Sequence, residues 1–493
     1  MRYLLGIDLG AGSLKAMVIN TTGHLTGEAS CPVTTHIPQP GFAEQDPAQW
    51  RGALGIAVKQ ALANAEIPAT EIAGVSVSAG AHIPVLMDAA GEVIRPAIMW
   101  SDQRSLLEAQ ALHAQAGDMI TKTSLNRVNP TWTLAMLAWL QKHEPANITR
   151  TAKLFLAKDY LRYCLTGTWE TDYSDAIGTL MADDAAKNWS PEICALIGWN
   201  RQTLPPIKPA TEIVGGVTAQ AAALTGLAPG TPVICGSNDT SVEFFGVGGI
   251  TPGMGAVKLA TAGVLFLATQ GKSVHPPVSC YPHVIEGLYY TATGTNSCAS
   301  AHRWLRDTMF ATGGFAEMDD LAATIAPGSG GLIFHPYLQG ERAPYWDPHL
   351  RADFIGLTIS HSRAHFARAL YEGIAFSIRD VLQAAQALGL HYGAIRLMGG
   401  GAKSPSWRQI IADVTGLEVE VMENTDASFG AALLAGVGVG IFATPEAAVA
   451  QCVRRVAGCT PDAATHALYT QQFALYKDAQ AALAPISHRL GSI

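Results

Sequence analysis

Residues 6–19 read GIDLGAGSLKAMVI, two runs of apolar residues on either side of a turn made of small residues. The runs at residues 3–7 and 16–19 are mostly strand formers, so they predict the two strands of a hairpin. The small residues between them permit positive φ angles and let backbone N–H groups come close to an anion. This pattern predicts a phosphate-binding turn, and an ordinary hairpin loop remains the alternative.

Three side chains at the turn point to the same chemistry. Asp8, at the end of the first strand, can hold Mg²⁺ or a water molecule, and Ser13 and Lys15 can reach phosphate oxygens. The pattern argues against a dinucleotide-binding fingerprint, because it reads G-x-G-x-x-K and the segment after the turn predicts a strand rather than a helix. A single glycine-rich turn is weak evidence, so the assignment depends on the rest of the chain.

Length and composition limit the class of protein. A chain of 493 residues, with 48% hydrophobic and 15% charged residues, predicts a two-domain α/β enzyme. The net charge of −8 argues against a nucleic-acid partner, because no basic stripe is available. No apolar run reaches about 18 residues and no signal-peptide pattern is present, so we expect a cytoplasmic protein without a membrane partner. Eight cysteines without C-x-x-C spacing indicate neither a zinc ribbon nor a dithiol redox site.

The second half of the chain repeats the outline of the first. Residues 256–260 and 264–268 predict another hairpin, with the small residues Thr261-Ala262-Gly263 at its bend. This repeat predicts two lobes, residues 1–246 and 247–493, in a duplicated nucleotide-binding fold with a cleft between them.

Two loops also have a common outline. A strand at 395–398 leads into Gly399-Gly400-Gly401 and then a helix from about Ser406 to Thr415. A strand at 232–235 likewise leads into the loop of Asp239 and a helix through Phe245. Because strand, glycine loop and helix form the commonest α/β unit, the outline alone leaves the duplication open.

Phosphoryl transfer would use these parts directly. It needs the phosphates held still, their charge neutralised and the attacking oxygen aligned beside a base. Gly399 to Gly401, before a helix N-terminus, offers backbone amides to a nucleotide. Asp239 lies at the carboxyl end of a strand, where open α/β sheets bind ligands, which makes it the best candidate for the base. An N-cap for the following helix explains Asp239 equally well.

Longer motifs resemble a known family, the FGGY carbohydrate kinases, and most closely its xylulokinase-like members. The resemblance runs from Gly6 to about Ile441. Its most specific motifs are KDYL at 158–161 with DYSDA at 172–176, GERAP at 340–344 with Asp347, and FIGL at 354–357 followed by HF at 365–366 and ALYE at 369–372. The resemblance implies a duplicated, two-lobed, actin-like (ribonuclease-H-like) ATPase fold.

The resemblance also implies roles for individual residues. Asp239 corresponds to the family's catalytic base, and the resemblance also implies that it contacts the substrate and the metal. Asp8 is implied to lie near the magnesium. Sugar contacts are implied for Ala81, His82, Trp100, Asp102 and Arg104, with core packing as the alternative for Trp100. Nucleotide contacts are implied for Gly10, Gly12, Ser13, Lys15, Thr261, Gly263, Gly400, Gly401, Ala402 and Asn424.

The implied function is ATP- and Mg²⁺-dependent phosphorylation of a terminal hydroxyl of a small sugar, with D-xylulose as the first candidate. Typical xylulokinases have Gln-Met-His-Gly where this chain has Gly80-Ala81-His82-Ile83, so another ketose, a polyol or a sugar acid is an alternative substrate. An actin-like ATPase and a non-catalytic sugar or nucleotide sensor are alternatives of a different class. The resemblance also allows a homodimer, because dimers are common in the family.

Overall fold

The computed structural model describes residues 2–310 and 314–491. Its strands are β1 (Tyr3–Leu9), β2 (Ser13–Asn20), β3 (Leu25–Pro32), β4 (Glu44–Gln45), β5 (Ile72–Ala79), β6 (Pro84–Met87), β7 (Ala97–Ile98), β8 (Lys153–Leu156), β9 (Thr171–Asp172), β10 (Ala182–Asp183), β11 (Asn188–Trp189), β12 (Ile207–Lys208), β13 (Ile213–Gly216), β14 (Pro232–Ile234), β15 (Met254–Leu259), β16 (Gly263–Gln270), β17 (Ser279–Pro282), β18 (Leu288–Thr295), β19 (Ile333–His335), β20 (Asp353–Ile355), β21 (Ala394–Met398), β22 (Glu418–Met422) and β23 (Arg455–Cys459).

The helices are α1 (Pro47–Ala65), α2 (Leu106–Ser124), α3 (Thr133–His143), α4 (Pro145–Arg150), α5 (Ala157–Thr166), α6 (Tyr173–Gly178), α7 (Pro191–Leu196), α8 (Ala219–Thr225), α9 (Asp239–Gly246), α10 (Ala299–Met309), α11 (Phe315–Ala323), α12 (Arg363–Ala387), α13 (Pro405–Thr415), α14 (Ala427–Gly438), α15 (Pro445–Cys452) and α16 (Ala463–Leu490). Within the described ranges, no helix is long and apolar enough to cross a membrane.

The chain packs into two compact units. The first consists of Met1–Ile250, Gln270–Tyr290 and Asn424–Val453, and the second of Thr251–Thr269, Thr291–Glu423 and Arg454–Ile493. Two segments from late in the sequence therefore pack with the N-terminal half. The lobe boundary after residue 246 stays a prediction.

The first unit is built on a sheet of strand order β13-β14-β5-β1-β2-β3. β1 and β2 form an antiparallel hairpin in which Leu9 faces Leu14, and β1 pairs in parallel with β5. β5 in turn pairs in parallel with β14, and β13 closes this edge in an antiparallel pairing. The carboxyl ends of β1, β5 and β14 therefore meet at one edge of the sheet, where ligands bind in open α/β sheets.

Helices cover both faces of this sheet. Alternate residues of β1 point to opposite faces, so Leu5 joins the cluster around Trp50 of α1 while Leu4 joins a second cluster with Phe245 and Leu433. α14 lies directly on β1, since a Cβ at Gly6 would be 1.8 Å from the carbonyl oxygen of Ser428. Glycine at position 6 is thus required by helix packing.

The second unit repeats this arrangement. β15 and β16 form an antiparallel hairpin, β15 pairs in parallel with β21, β21 pairs in parallel with β22, and β23 closes the edge in an antiparallel pairing. The strands β15, β16, β21, β22 and β23 therefore pair in the same way as β1, β2, β5, β14 and β13, in that order. The predicted duplication of the α/β fold is confirmed.

The predicted equivalence of two loops is wrong. The Gly399 loop follows β21, whose counterpart is β5, so it corresponds to the loop at Gly80 and not to the Asp239 loop. The Asp239 loop follows β14, whose counterpart is β22, so its equivalent is the loop that ends at Asp426 before α14. The sequence pattern could not distinguish these cases, because strand pairing and not local outline decides the equivalence.

The conformation of the first turn also differs from the expectation. Positive φ angles occur at many glycines of the described chain, but Gly10 and Gly12 are not among them. A Cβ at Gly12 would have no atom within 4 Å, so this glycine leaves open space beside the backbone. The small residues therefore leave the turn accessible, and they are not needed for a positive φ angle.

Candidate active site

Asp8 is the penultimate residue of β1, at the carboxyl edge of the first sheet. The hydroxyl of Ser78, its register partner on β5, donates to Asp8 Oδ1 at 2.7 Å. Burial raises the pKa of Asp8 well above its usual range, and the negative charges of Asp239, Asp426 and Glu243 raise it further. Carboxylates are therefore gathered at this edge, and a bound cation would offset their repulsion.

Asp239 is the first residue of α9, and it is not the N-cap. The cap is Asn238, whose side-chain Oδ1 accepts from the N–H of Ser241 at 2.9 Å. Asp239 Oδ1 accepts from the amide of Thr240 at 2.6 Å and from its hydroxyl at 3.1 Å. The capping alternative for Asp239 is thus wrong, because its neighbour performs that task.

The turn between β1 and β2 is held by contacts of its backbone carbonyls. Gly10 donates to the carbonyl of Ser13 at 3.0 Å, the carbonyl of Gly12 accepts from Val33, and the side-chain amide of Gln45 donates to the carbonyl of Ala11 at 2.8 Å. Gly12 itself is exposed. The turn is therefore anchored from one side and open on the other.

Lys15 lies beyond this turn on β2. Its ammonium is 2.8 Å from Glu28 and 3.0 Å from Asp426, the N-cap of α14. Burial lowers the pKa of Lys15, but hydrogen bonds and charge attraction from these two carboxylates outweigh it and raise the pKa overall. Lys15 is thus held as a cation beside the carboxylates of this edge.

His82, next to the half-buried Ala81, follows β5 with a φ of 70°, an uncommon angle for a residue with a Cβ. Its Nδ1 is 2.6 Å from the carbonyl of Gly178, its Nε2 is 3.3 Å from the hydroxyl of Tyr281, and its ring stacks on Trp132 at 4.2 Å. Burial lowers the pKa of His82 to about 4, although the hydrogen bond to Gly178 acts in the opposite direction. His82 is therefore neutral at pH 7, with Nδ1 as donor and Nε2 as acceptor.

The region of Trp100 divides into an exposed indole and a buried ion pair. Trp100 is 48% exposed, and a Cβ at Gly80 would be 3.3 Å from its ring, so the core-packing alternative is wrong. Asp102, 1% exposed, accepts from the amide of Ala43 at 2.6 Å and pairs with Arg104 at 2.8 Å. The guanidinium of Arg104 is also 3.9 Å from the ring centre of Phe42. This pair fixes the loop that presents Trp100.

In the second unit, Thr261 lies at the bend of the β15–β16 hairpin. Its carbonyl accepts from the amide of Cys298 at 3.1 Å and from the hydroxyl of Ser300 at 2.8 Å. A Cβ at Gly263 would be 2.8 Å from the hydroxyl of Thr295. The start of α10 therefore packs closely against this bend.

The loop after β21 has a different form from the predicted one. Gly400–Lys403 is a 3₁₀ turn that contains Gly401 and the buried Ala402, and Ser404 caps α13 by accepting from the amide of Trp407. A Cβ at Gly400 would have open space, whereas one at Gly401 would be 2.6 Å from Trp407. Asn424 lies elsewhere, at the start of the segment that packs in the first unit. Gly400 and Gly401 thus lie in a short 3₁₀ turn, and the α-helix itself begins only at Pro405.

Comparison with known proteins decides the family. The model of the N-terminal domain of the FGGY family of carbohydrate kinases matches residues 3–246, and the model of its C-terminal domain matches residues 256–439. This chain belongs to the FGGY family. It is therefore an enzyme that phosphorylates a carbohydrate.

Relatives of this FGGY kinase agree with the assignment over their full length. A xylulose kinase of Bacillus subtilis is 32% identical over 481 residues, which cover 97% of this chain and 96% of the relative. The crystal structure of a xylulose kinase from Rhodospirillum rubrum has a TM-score of 0.91 at 30% identity, with 99% and 100% coverage. A gluconate kinase structure from Lactobacillus acidophilus has a TM-score of 0.90 at 26% identity, with 98% coverage of both chains. The actin-like fold predicted for this FGGY kinase is confirmed.

Several residues of this site in the FGGY kinase could not be found from the sequence. Ser78 and Gln45 hold the first turn, and Trp132, Gly178 and Tyr281 surround His82. They come from distant segments and carry no local pattern. For Ser78, the register of a strand parallel to β1 could have provided a signal.

Proposed function

We propose that this enzyme transfers the γ-phosphoryl group of ATP to a terminal hydroxyl of D-xylulose and so forms D-xylulose 5-phosphate. The observation that carries the proposal is the pair of carboxylates at the carboxyl edge of the first sheet, Asp8 on β1 and Asp239 at the start of α9. Full-length relatives named xylulose kinase support D-xylulose as the acceptor.

Asp239 acts as the general base in this proposal. The hydroxyl oxygen of the sugar forms a bond to the γ-phosphorus while the bond to the bridging oxygen breaks and its electron pair leaves with ADP. The hydroxyl proton passes to the carboxylate of Asp239. Because Asn238 caps the helix, the carboxylate of Asp239 is not needed as a cap.

The residues around Asp8 fit a magnesium ion. Mg²⁺ is usually held by one or two carboxylates together with waters and phosphate oxygens, and Asp8 and Asp239 provide two. Burial, and after it the negative charges of Asp239, Asp426 and Glu243, raise the pKa of Asp8, and a cation bound there would favour its ionised form. When bound, Mg²⁺ would neutralise phosphate charge.

Nucleotide contacts are proposed on both units. Gly10, Gly12 and Ser13 offer an open turn to the phosphates, with Lys15 as a nearby positive charge. On the second unit, the proposal assigns Thr261 and Gly263 to the phosphates. The remaining proposed nucleotide contacts are Gly400, Gly401, Ala402 and Asn424.

Sugar contacts are proposed beside β5. Ala81 and neutral His82 provide a small surface and a polar ring, and the exposed indole of Trp100 provides an apolar face for sugar C–H groups. A sugar contact of Asp102 or Arg104 stays a prediction, because both side chains are buried in an ion pair that holds the loop of Trp100.

The test is ADP release measured with purified enzyme, ATP and Mg²⁺ over a panel of D-xylulose, D-ribulose, xylitol, glycerol and D-gluconate. We expect D-xylulose to give the highest kcat/KM, and Asp239→Asn to lower kcat by at least about two orders of magnitude. Sugar-independent ADP release would favour an ATPase, and sugar binding without ADP release would favour a sensor. Near-wild-type turnover by Asp239→Asn would contradict the role of the base.

D-Gluconate is the second candidate acceptor. The gluconate kinase from Lactobacillus acidophilus is close to this chain in structure, and the motif Gly80-Ala81-His82-Ile83 departs from the usual xylulokinase motif. The same panel decides between the two acceptors, since the preferred sugar has the higher kcat/KM.

A further inference from the structure

The loop that leads to Asp239 is tied to neighbouring helices by side chains that the mechanism above does not use. Arg162 of α5 donates to the carbonyl of Cys235 at 3.0 Å, and the hydroxyl of Ser237 donates to Asp172 Oδ2 at 2.8 Å. The side-chain amide of Asn238 donates to the hydroxyl oxygen of Ser174 at 3.1 Å. Side chains thus anchor three of the four residues from 235 to 238, and the amide of the fourth, Gly236, donates to the carbonyl of Ala210 at 2.9 Å.

The tie continues on the other side of Asp239. The hydroxyl of Ser174 is 2.9 Å from that of Ser241, which is 3.0 Å from the hydroxyl of Tyr290. Ser174 therefore contacts the residue before Asp239 and the residue two positions after it. A single buried hydroxyl bridges both ends of the segment that carries the base.

A buried lysine holds the anchors themselves. Lys158 is 3.0 Å from Asp172 Oδ1 and 3.6 Å from Asp175 Oδ2, and it also pairs with Asp159. Asp172 Oδ2 accepts from the amide of Ser174 at 3.0 Å and so caps α6. The side chains of Lys158 and the three aspartates are almost completely buried. Burial of these charges is costly, so their contribution is better explained by fixed geometry than by net stability.

The same short helix also holds the histidine beside the proposed sugar site. α6 carries Ser174 near its start, and its last residue, Gly178, accepts from His82. A rigid α6 therefore fixes His82 relative to the loop of Asp239.

We propose that Lys158, Asp172 and Ser174 form a positioning brace, which holds Asp239 at the angle needed to accept the hydroxyl proton. The proposal rests on the proposed function, because it assumes that Asp239 is the base. Asp172 acts through Ser237 and Ser174 acts through Asn238, while Lys158 acts through Asp172. Removing a side chain of the brace leaves the backbone carbonyl of Gly178 that holds His82, so it should reduce kcat and leave the KM values for sugar and nucleotide nearly unchanged.

The first test is Ser174→Ala, with Ser190→Ala as a matched control. Ser190 is also buried in the first unit and caps another helix, α7, by accepting from the amide of Ile193. We expect Ser174→Ala to lower kcat by about ten- to a hundredfold, as small misplacements of catalytic groups do, with KM within about twofold. Ser190→Ala should keep its kcat. A Ser174→Ala enzyme with wild-type kcat would overturn the brace.

The second test separates positioning from a general structural effect. In an Asp239→Asn background no base remains to be positioned, so adding Ser174→Ala should lower the residual kcat no further. A drop as large as in the wild-type background would show a structural role and overturn the proposal. If Ser174→Ala does not fold, Ser237→Ala, which removes the tie to Asp172, takes its place with the same expected results.

These experiments also separate the brace from the proposed function. If Asp239→Asn keeps full activity, the assignment of the base fails and the brace fails with it. If Asp239→Asn is inactive while Ser174→Ala and Ser237→Ala are fully active, the base stands and only the brace fails.

Discussion

Asn238 and Asp239 are adjacent at the start of α9 and make different contacts. Asn238 satisfies the helix N-terminus with its side-chain oxygen and gives its amide hydrogen to Ser174. Asp239 contributes a carboxylate beside that of Asp8, whose pKa it raises. From sequence alone, cap and base were equally good interpretations of Asp239. The backbone position of Asp239, one residue inside the helix, excludes the cap, and its role as the base stays a prediction.

His82 shows what one-dimensional patterns leave out at this scale. The family resemblance implies a sugar contact at His82, but the partners of its ring come from residues 132, 178 and 281. No spacing rule connects these positions, because the fold and not the chain brings them together. The neutral state of the ring follows from that enclosure.

The same enclosure predicts acid sensitivity. Burial lowers the pKa of His82 to about 4, whereas the unfolded chain has its ordinary value of 6.5, so the unfolded state binds the proton more readily between these pH values. Stability contributed by neutral His82 is present above pH 6.5 and is lost as the pH falls towards 4. Urea unfolding of wild type and His82→Gln at pH 4 to 8 measures this. The variant should lose less stability on acidification; parallel curves would contradict the assignment.

At the scale of elements, α9 and α14 approach closely through glycines. A Cβ at Gly430 would be 1.8 Å from the carbonyl oxygen of Val242, and one at Gly246 would be 2.9 Å from the Cα of Gly430. α9 follows β14 of the first sheet, and α14 follows β22, the corresponding strand of the second sheet. The two helices are therefore equivalent in the duplication, and both pack in the first unit. Their equivalence could not be predicted, since the local outline matched the wrong loop.

Gly430→Ala should therefore lower the free energy of unfolding by about 1–3 kcal/mol or more. The added methyl group would overlap backbone atoms, which can move only if the helices separate. Gly52→Ala is the matched control, because Gly52 is also helical but a Cβ there would have no atom within 4 Å. The control should be neutral or stabilising by up to about 1 kcal/mol. Denaturant unfolding of both variants measures the difference, and equal midpoints would refute the packing argument.

The GERAP motif supports the second hairpin. Glu341 Oε1 accepts from the amides of Asn296 at 2.6 Å and Arg342 at 2.7 Å. Two residues after Asn296, the amide of Cys298 donates to the carbonyl of Thr261. In the sequence this motif indicates only the family, whereas its link to the bend depends on these contacts.

Glu341 should make stability fall as the pH rises. Burial raises its pKa to about 7, against the lowering effect of the two amides and Arg342, while the unfolded chain keeps the usual value of 4.5. The folded state thus holds a proton that the unfolded state releases, and up to about 3 kcal/mol is lost between pH 4.5 and 7. Glu341→Gln keeps the acceptor oxygen and removes the titration.

The measurement for Glu341 is the unfolding free energy at pH 4.5 to 8. Wild type minus Glu341→Gln should decline across this range and level off above pH 7. Glu341→Ala, which leaves both amides without their acceptor, should be less stable than Glu341→Gln at every pH. A constant difference between wild type and Glu341→Gln would contradict the raised pKa.

At the scale of the whole molecule, the hydrophobic pattern predicts two α/β halves of similar outline, and only strand pairing establishes that they are duplicates. Strands such as β1, β2, β15 and β21 were recognisable because each is a short apolar run beside small residues. The grouping of late segments with the N-terminal half was not recognisable. α14 is an ordinary apolar helix in sequence, and only its contact with Gly6 and Phe245 shows where it belongs.

A fragment of residues 1–246 should therefore fail to fold by itself. It lacks α14, so Leu4, Ile19 and Phe245 would lose the apolar residues that cover them. Circular dichroism and size-exclusion chromatography of the fragment, with the full chain as control, check this. A compact, cooperatively unfolding fragment would show that the predicted lobe is independent and that α14 is dispensable for it.

The place of α14 in the first unit has a consequence for synthesis of the protein. The ribosome makes β1, β5 and the Asp239 loop early, but the helix that covers β1 belongs to a segment that ends at residue 453 of 493. Most of the nascent chain must emerge before this core can close. The half that carries the proposed base is thus begun first and completed late, and its exposed strands would be natural targets for chaperones during translation.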